Sequence, residues 1–318
     1  MKVHVIGTVN GQFDEGMRNV ATHLSNVFEQ KHRVFYSGLK SIPSIIRNSR
    51  TCDVTMIFAR ANKQVYWLAR MVGLLSKRVW IVCVQKPDQD FTRLTSRSPL
   101  NANYLAIAER DLEQIELKTK YKKVHFNLGI KSLKFHPVDT QTQKALKEKY
   151  GIARDKLLVV HVGHCSEGRG LADFTYLTDT EKLVVASGMF EHADTVKVLE
   201  ENGVRIIRGY IENIEEVYQM ADVYLFPTRC AEYVISIPLS VMEALSCGLP
   251  VIGYKELVGL SEIPSCEGAI TLIEDSSQLN DAVIKVAQRK CATSLLQVSR
   301  TWEQSAEEIL EAIKEAEI

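Results

Sequence analysis

Between Ala221 and Gly253 the chain reads ADVYLFPTRCAEYVISIPLSVMEALSCGLPVIG, and this stretch limits the fold more than any other. Asp222 to Pro227 has the composition of a buried parallel strand that ends at a proline. Gly248-Leu249-Pro250 stops a helix and leads directly into the next apolar strand. Between them Leu239, Val241, Met242, Ala244 and Leu245 cover nearly every direction of one short helix, so that helix must be buried. A strand, a buried helix and a second strand make a βαβ unit, and such units belong to open α/β sheets.

Glu243 lies inside this apolar helix. A buried carboxylate without a partner costs several kcal/mol or stays protonated, so it calls for a hydrogen-bond donor. A nearby Lys or a helix terminus would serve as well as a ligand, and both readings stand at this point. Ser240, Glu243 and Cys247 share one helical stripe near the carboxyl ends of the strands, where open α/β sheets bind ligands.

The rest of the chain repeats the pattern. In the first half strands are expected at Val3–Thr8, Arg33–Tyr36, Val54–Ala59, Val79–Val84, Tyr104–Ala108 and Val124–Leu128. Between the first two, Met17, Val20, Leu24, Val27 and Phe28 mark one face of a helix starting near Asp14. The second half restarts with strands at Leu157–Val162, Lys182–Ser187, Val204–Arg208, Val223–Phe226, Val251–Tyr254 and Ala269–Leu272. A final helix from Trp302 has Trp302, Ala306, Ile309, Leu310 and Ile313 on one face. The 318 residues suffice for two α/β domains of ordinary size.

No run is long enough to span a membrane, and Val3–Ile6 is too short for a signal peptide. The seven Cys are irregularly spaced, with no Cys-x-x-Cys pair; reduced thiols in a cytoplasmic protein are expected, and a zinc site is not. The formal net charge is zero, which argues against general nucleic-acid binding. That balance hides an asymmetry, since residues 1–150 hold 25 Lys and Arg against 12 Asp and Glu. The basic half can attract an anionic membrane surface or an anionic acceptor; attraction between the halves and ordinary solvated Lys explain the asymmetry equally well.

ADVYLFPT, PLSVMEALSCGLPVIGY and the preceding GYIENIEEVYQM resemble the retaining, nucleotide-sugar-dependent glycosyltransferases of family 4. The resemblance implies the GT-B fold: α/β, with two Rossmann-like parallel-sheet domains facing a cleft. It places an acceptor-side domain at 1–140, a nucleotide-sugar domain at 141–301, and a helix at 302–318 that crosses back to the first domain. Asn127-Leu128-Gly129-Ile130 with Lys134-Phe135-His136-Pro137 is similar to the family's interdomain signature, with Leu128 and Lys131 as departures.

In that family the Glu at the position of Glu243 holds the donor ribose. VHVGHCSEGRGL, Val160 to Leu171, resembles the strand and loop that bind the diphosphate, which assigns donor contacts to Gly163, His164 and Arg169, with His164 standing where Arg is usual. Arg169 suits a bidentate phosphate contact as negative charge develops on the leaving group. Ser236, Ile237, Leu239 and Ser240, at or before the start of the Glu243 helix, are expected to supply backbone N–H groups to the donor. Tyr210 and Gly11 complete the donor set. The family's first acid, eight positions before Glu243, is here Ile235, which leaves Glu232 as the candidate. Arg169, Glu232 and Glu243 form the expected catalytic set.

On the acceptor side the candidates are Asn10, Asp14 and Arg18 after the first strand, and Gln85, Lys86 and Asp88 after the fourth. Asp88-x-Asp90 looks like the metal motif of a different transferase fold, and no metal role is assigned to it. The missing G-x-G-x-x-G disfavours an NAD enzyme. The resemblance implies a metal-independent transfer with retention from a UDP- or GDP-sugar to a glycan or lipid-linked acceptor, by front-face attack and without a cofactor. A catalytically weak partner subunit and a sugar-nucleotide epimerase are the competing readings.

Overall fold

The computed structural model describes residues 1–9, 16–291 and 293–316. The chain divides into two compact units: Met1–Gly129 with Ile235–Ile237 and Arg300–Ile318, and Ile130–Val234 with Pro238–Ser299. The boundary after Gly129 falls earlier than the position expected near residue 140.

In the first unit the strands are β1 (Lys2–Gly7), β2 (Arg33–Ser37), β3 (Val54–Phe58), β4 (Val79–Cys83), β5 (Asn103–Ala106) and β6 (Lys123–His125). They form one sheet of order β2-β1-β3-β4-β5-β6, parallel throughout, with Val5 opposite Tyr36 on one side and Met56 on the other. Every residue of β3 and β4 is buried, as expected for strands covered on both faces. The covering helices are α1 (Gly16–Lys31), α2 (Ile42–Thr51), α3 (Lys63–Val72), α4 (Gln89–Arg97) and the short α5 (Arg110–Glu113). α1 buries Val20, Leu24, Val27 and Phe28, the face its periodicity predicts.

The second unit holds α6 (Thr140–Lys149), β7 (Leu158–Cys165), β8 (Glu181–Glu191), α7 (Ala193–Glu201), β9 (Arg205–Arg208) and α8 (Ile214–Met220). It continues with β10 (Val223–Phe226), α9 (Leu239–Ser246), β11 (Val251–Tyr254), β12 (Ile270–Ile273) and α10 (Leu279–Ala287). Its sheet has the order β12-β11-β10-β7-β8-β9, again all parallel. Read from β7, the chain fills β8 and β9 on one side and then returns to fill β10, β11 and β12 on the other. The topological switch therefore lies between β7 and β10, the place where a doubly wound sheet opens a ligand crevice beyond its strand ends. β7 and β8 run past the ends expected from sequence, so Gly163 and His164 are still strand.

The last helix, α11 (Trp302–Glu315), belongs with the first unit and packs on α1. Thr301 and Gln304 close a capping box at its start. The Trp302 ring stacks on His23 at 4.7 Å. Gly129 permits this approach, because a Cβ there would lie 2.5 Å from the Trp302 nitrogen. Among the described residues no helix is long and apolar enough to cross a membrane. Cys52, Cys83, Cys165 and Cys247 are buried free thiols.

Candidate functional site

The second unit gathers its unusual polar groups at the β7–β10 switch. α9 begins directly after Pro238 with no capping side chain and buries Leu239, Val241, Met242, Ala244, Leu245 and Ser246. Glu243, itself half-buried, is the acid of this helix, and its Oε2 accepts a 2.9 Å hydrogen bond from the Tyr218 hydroxyl of α8. Desolvation pushes the Glu243 carboxyl up to about 7, against the stabilising pull of the Tyr218 hydrogen bond and of Lys134 and Lys131. Lys134 is engaged elsewhere: it donates to the Glu212 carbonyl at 2.6 Å and pairs with Glu215 at 3.1 Å. The hydrogen bond to Glu243 thus comes from a buried tyrosine, which satisfies one oxygen without supplying a positive charge.

Tyr224, on β10, is the hub of the cluster. Its ring lies 5.7 Å from that of Tyr218 and 5.9 Å from that of His161. The Tyr224 hydroxyl donates to the Val162 carbonyl at 3.1 Å and also hydrogen-bonds with the Ser240 side chain. Its phenol titrates well above the ordinary range, because it is desolvated and close to Glu243. His161 is wholly buried on β7 and bonds the Leu225 carbonyl through Nδ1 at 2.9 Å. A carbonyl only accepts, so Nδ1 carries the proton. Burial lowers the imidazole to about 3 despite that bond, and the nearby charge of Arg169 adds to the effect, so the ring stays neutral. Gly163 fits over it, since a Cβ would stand 3.0 Å from His161 Nε2.

Arg169 closes a single 3-10 turn, Glu167–Arg169, after β7. Its guanidinium titrates below its ordinary value because burial disfavours the charge, with Tyr224 acting in the opposite sense. Among the described residues no carboxylate pairs with it. Gly170 follows with φ of 70°, and a Cβ there would meet the Pro227 carbonyl oxygen at 2.5 Å. The positive φ and the close approach both require glycine, and together they fix the arginine turn against the end of β10. Thr228 then donates to the Arg169 carbonyl at 3.3 Å. Beside this turn Asp173, 7 % exposed, accepts from Tyr254 at 2.5 Å and from Arg229 at 2.8 Å, and the Arg229 guanidinium sits 3.7 Å over the Tyr254 ring.

Of the expected donor residues, Gly163, His164, Arg169, Leu239, Ser240 and Glu243 all lie on the elements that border this switch. Tyr210 is 52 % exposed in the loop after β9. Glu232 is exposed in a 3-10 turn. Ser236 and Ile237 are grouped with the first unit, which alters the role expected of Ser236. Its N–H donates to the Val84 carbonyl at 2.8 Å, its carbonyl accepts from Arg110 at 3.2 Å, and its hydroxyl bonds Asp111. With that N–H already spent, Ser236 is not a backbone donor for a ligand here. Ile235 packs in the same unit, where a Cβ on Gly16 would lie 3.1 Å from its Cδ1.

Gly11, Asn10 and Asp14 lie outside the described residues. Arg18 is in the first turn of α1. Gln85 and Lys86 follow β4, Gln85 half-buried and Lys86 exposed. Asp88 is the N-cap of α4 and accepts from the Phe91 N–H at 2.7 Å, a structural use of the side chain expected to orient an acceptor. Tyr218, Tyr224 and His161 were not singled out from sequence. All three sit in apolar strands or helices where an aromatic residue reads as ordinary core, and only the sheet order brings Tyr218 and Tyr224 near Glu243 and His161 and Tyr224 near Arg169.

Residues 174–289 match the family model of glycosyl transferases group 1. No curated protein sequence matches the chain significantly. Among solved structures it resembles Anabaena HepE, crystallised with UDP-glucose, with a TM-score of 0.79 and 12 % identity over 99 % of this chain and 100 % of that one. The sucrose-phosphate synthase of Thermosynechococcus elongatus gives a TM-score of 0.70 at 14 % identity, covering 99 % and 98 % of the two chains. WaaG, a glycosyltransferase involved in lipopolysaccharide biosynthesis, gives 0.60 at 14 % identity over 99 % and 98 %. At these identities the likeness is one of fold: two Rossmann-like α/β domains of the GT-B type.

Proposed function

We propose that this chain is a glycosyltransferase that takes a sugar from a UDP- or GDP-activated donor and passes it, with retention and without a metal ion, to a glycan or lipid-linked acceptor. The observation that carries the reading is Glu243, a desolvated carboxylate that accepts from the Tyr218 hydroxyl, with Tyr224 between it and a half-buried Arg169 that meets no carboxylate among the described residues, at the switch point of a doubly wound sheet. A ribose diol donates two hydrogen bonds and thereby offsets the cost of ionising Glu243, while a diphosphate offers Arg169 the anion it lacks. Gly163, His164, Leu239 and Ser240 line the same strand and helix ends and complete the donor contacts. Support comes from the group 1 match over residues 174–289 and from the fold shared with HepE, which was crystallised with UDP-glucose and with UDP.

Transfer needs the departing diphosphate stabilised, and Arg169 is placed for that role. Front-face attack, with a donor phosphate oxygen taking the acceptor proton, asks for no protein base. The competing reading is a donor-binding subunit with little turnover. It is favoured by Ile235, which packs in the first unit at the position where the resembled family carries an acid, and by the exposure of Glu232.

The test is calorimetry with UDP- and GDP-sugars, followed by assays of UDP or GDP release with and without a lipid-phosphate acceptor. Acceptor-dependent release supports transfer, and binding without turnover supports the subunit. A changed sugar formed without acceptor indicates an epimerase. Failure of every nucleotide sugar to bind the folded protein removes the proposal.

A further inference from the structure

Tyr233 takes no part in the donor contacts described so far, yet it stands against the turn that carries Arg169. It ends the 3-10 turn Ala231–Tyr233, in the loop that leaves β10. That loop is held from its start. Thr228 donates to the Arg169 carbonyl at 3.3 Å, and Arg229 donates to Asp173 at 2.8 Å while its guanidinium lies 3.7 Å over the Tyr254 ring. The Tyr233 N–H then donates to the Cys230 carbonyl at 3.3 Å and closes the turn.

Gly168, the residue before Arg169, shows how the ring lies. A Cβ there would stand 2.4 Å from Cε2, 2.4 Å from Cζ and 2.6 Å from Cδ2 of Tyr233. A point beside the ring edge can come that close to two adjacent ring carbons but not to the third. Near-equal distances to three adjacent carbons place the point over the ring face. The ring therefore lies face-on against Gly168, at a separation that no β-carbon tolerates, and this position must be glycine for that reason.

Tyr233 nonetheless remains 49 % exposed. With one face against the Gly168 backbone, that exposure belongs to the opposite face and the rim. An aromatic ring seated in this way is a rigid platform, fixed before anything binds, so covering its open face costs little conformational entropy. A tyrosine that only shields a glycine turn would have the same geometry, and the neighbouring residue decides between the two. That neighbour is Arg169, a half-buried cation that meets no carboxylate among the described residues.

A nucleotide sugar carries one organic group at each end of its diphosphate. Glu243 accounts for the nucleoside, through the ribose, with Tyr218 and Tyr224 close to it. The sugar belongs to the other end. Its ring is joined directly to the second phosphate, so a diphosphate held on Arg169 keeps the sugar near Gly168 and the ring that covers it. The C–H-rich face of a pyranose is its least polar surface, and its slightly positive hydrogens suit the negative face of an aromatic ring. We propose that the open face of Tyr233 is the platform on which the donor's pyranose ring stacks, which makes Tyr233 a determinant of sugar binding and not of nucleotide binding. This rests on the reading of Glu243 and Arg169 as a nucleotide-sugar site, and the occupant it names is a neutral hexopyranose with an open C–H face.

Calorimetry on the full chain with UDP, GDP, UDP-glucose, UDP-galactose and GDP-mannose tests it. Tyr233→Ala removes the platform, and Tyr233→Phe keeps the ring. Tyr233→Ala is expected to weaken nucleotide-sugar binding about fivefold, as for loss of one aromatic contact, and to leave the affinity for free nucleotide unchanged. Tyr233→Phe is expected to retain both affinities. Unchanged nucleotide binding by Tyr233→Ala also shows that the arginine turn is intact, so a disturbed loop is not mistaken for a lost platform. Equal weakening of nucleotide and nucleotide sugar overturns the proposal, because the ring then supports the turn or the base. Nucleotide-sugar affinity unchanged in Tyr233→Ala overturns it too, as does a Tyr233→Phe variant as weak as Tyr233→Ala. In each of these cases the wild-type protein still binds its donor, and the donor site stands. Wild-type protein that binds none of these ligands removes the donor site, and the platform with it.

Discussion

The two units share an architecture and differ in what they do with their polar side chains. In the first, acids near the strand ends are closed locally: Asp88 caps α4, Asp111 takes the Ser236 hydroxyl, and Asp53 takes the Lys2 N–H. In the second, Glu243 and Arg169 are desolvated, Glu243 accepts from a neutral hydroxyl, and Arg169 meets no carboxylate among the described residues. Groups that raise the energy of the free protein in this way are where a ligand has most to gain, and the contrast points to the second sheet as the place of donor binding.

The largest expected effect tests how rigidly the arginine turn is held. Gly170→Ala combines left-handed strain with a close approach to the Pro227 carbonyl, and is expected to cost about 2–5 kcal/mol in urea unfolding, from strain and overpacking together. Gly203→Ala has the same φ of 70° but open space, and should cost only the strain, about 1–2 kcal/mol. Equal costs would mean that Pro227 yields and the turn is not fixed.

Next comes Glu243 itself. Glu243→Ala is expected to weaken nucleotide-sugar binding by about 1–3 kcal/mol, with unchanged calorimetric affinity in a folded variant as the contrary result. The acid also sets a pH dependence. Its carboxyl is raised from 4.5 to about 7, so the free protein binds the proton more tightly than the unfolded chain, and the associated stability is lost as pH rises from about 4.5 through about 7. Donor hydroxyls favour the ionised form, so affinity runs the other way and rises through the same range, about tenfold between pH 6 and pH 8 for a single group titrating near 7. A flat affinity profile would break the link between Glu243 and the donor.

Tyr218→Phe removes the hydroxyl that donates to this carboxylate. It should move the midpoint of that affinity profile to higher pH, by about one unit for a hydrogen bond to a charged group worth about 1.5–3 kcal/mol partly replaced by ligand. Binding measured across pH decides this. The smallest effect is expected in the first unit, where Thr301→Ala removes the capping-box hydroxyl of α11 and should lower thermal stability by about 1 kcal/mol while leaving donor affinity unchanged. A change in affinity would mean that the second unit's site depends on that helix.

Much of this molecule is legible as pattern. Twelve strand segments, the inner face of α1 and the start of α11 at Trp302 follow from periodicity and capping chemistry, because those signals are local. Glu243 was visible for the same reason, as a charge where every neighbour is apolar. The use of Asp88 as a cap was less plain, since the same short acid suits a loop ligand equally well. Ser236 misled because its stretch reads as the approach to α9, whereas the fold groups three residues, Ile235–Ile237, with the other unit.

By itself, then, the sequence determined two parallel α/β sheets and an acid that had to find a partner, since both rest on spacing between near neighbours. Tertiary structure alone decided which partner it was. Tyr218, Tyr224 and His161 come from separate elements and meet only because β10 returns to lie beside β7. That strand order depends on long-range pairing energy, which leaves no mark in local sequence.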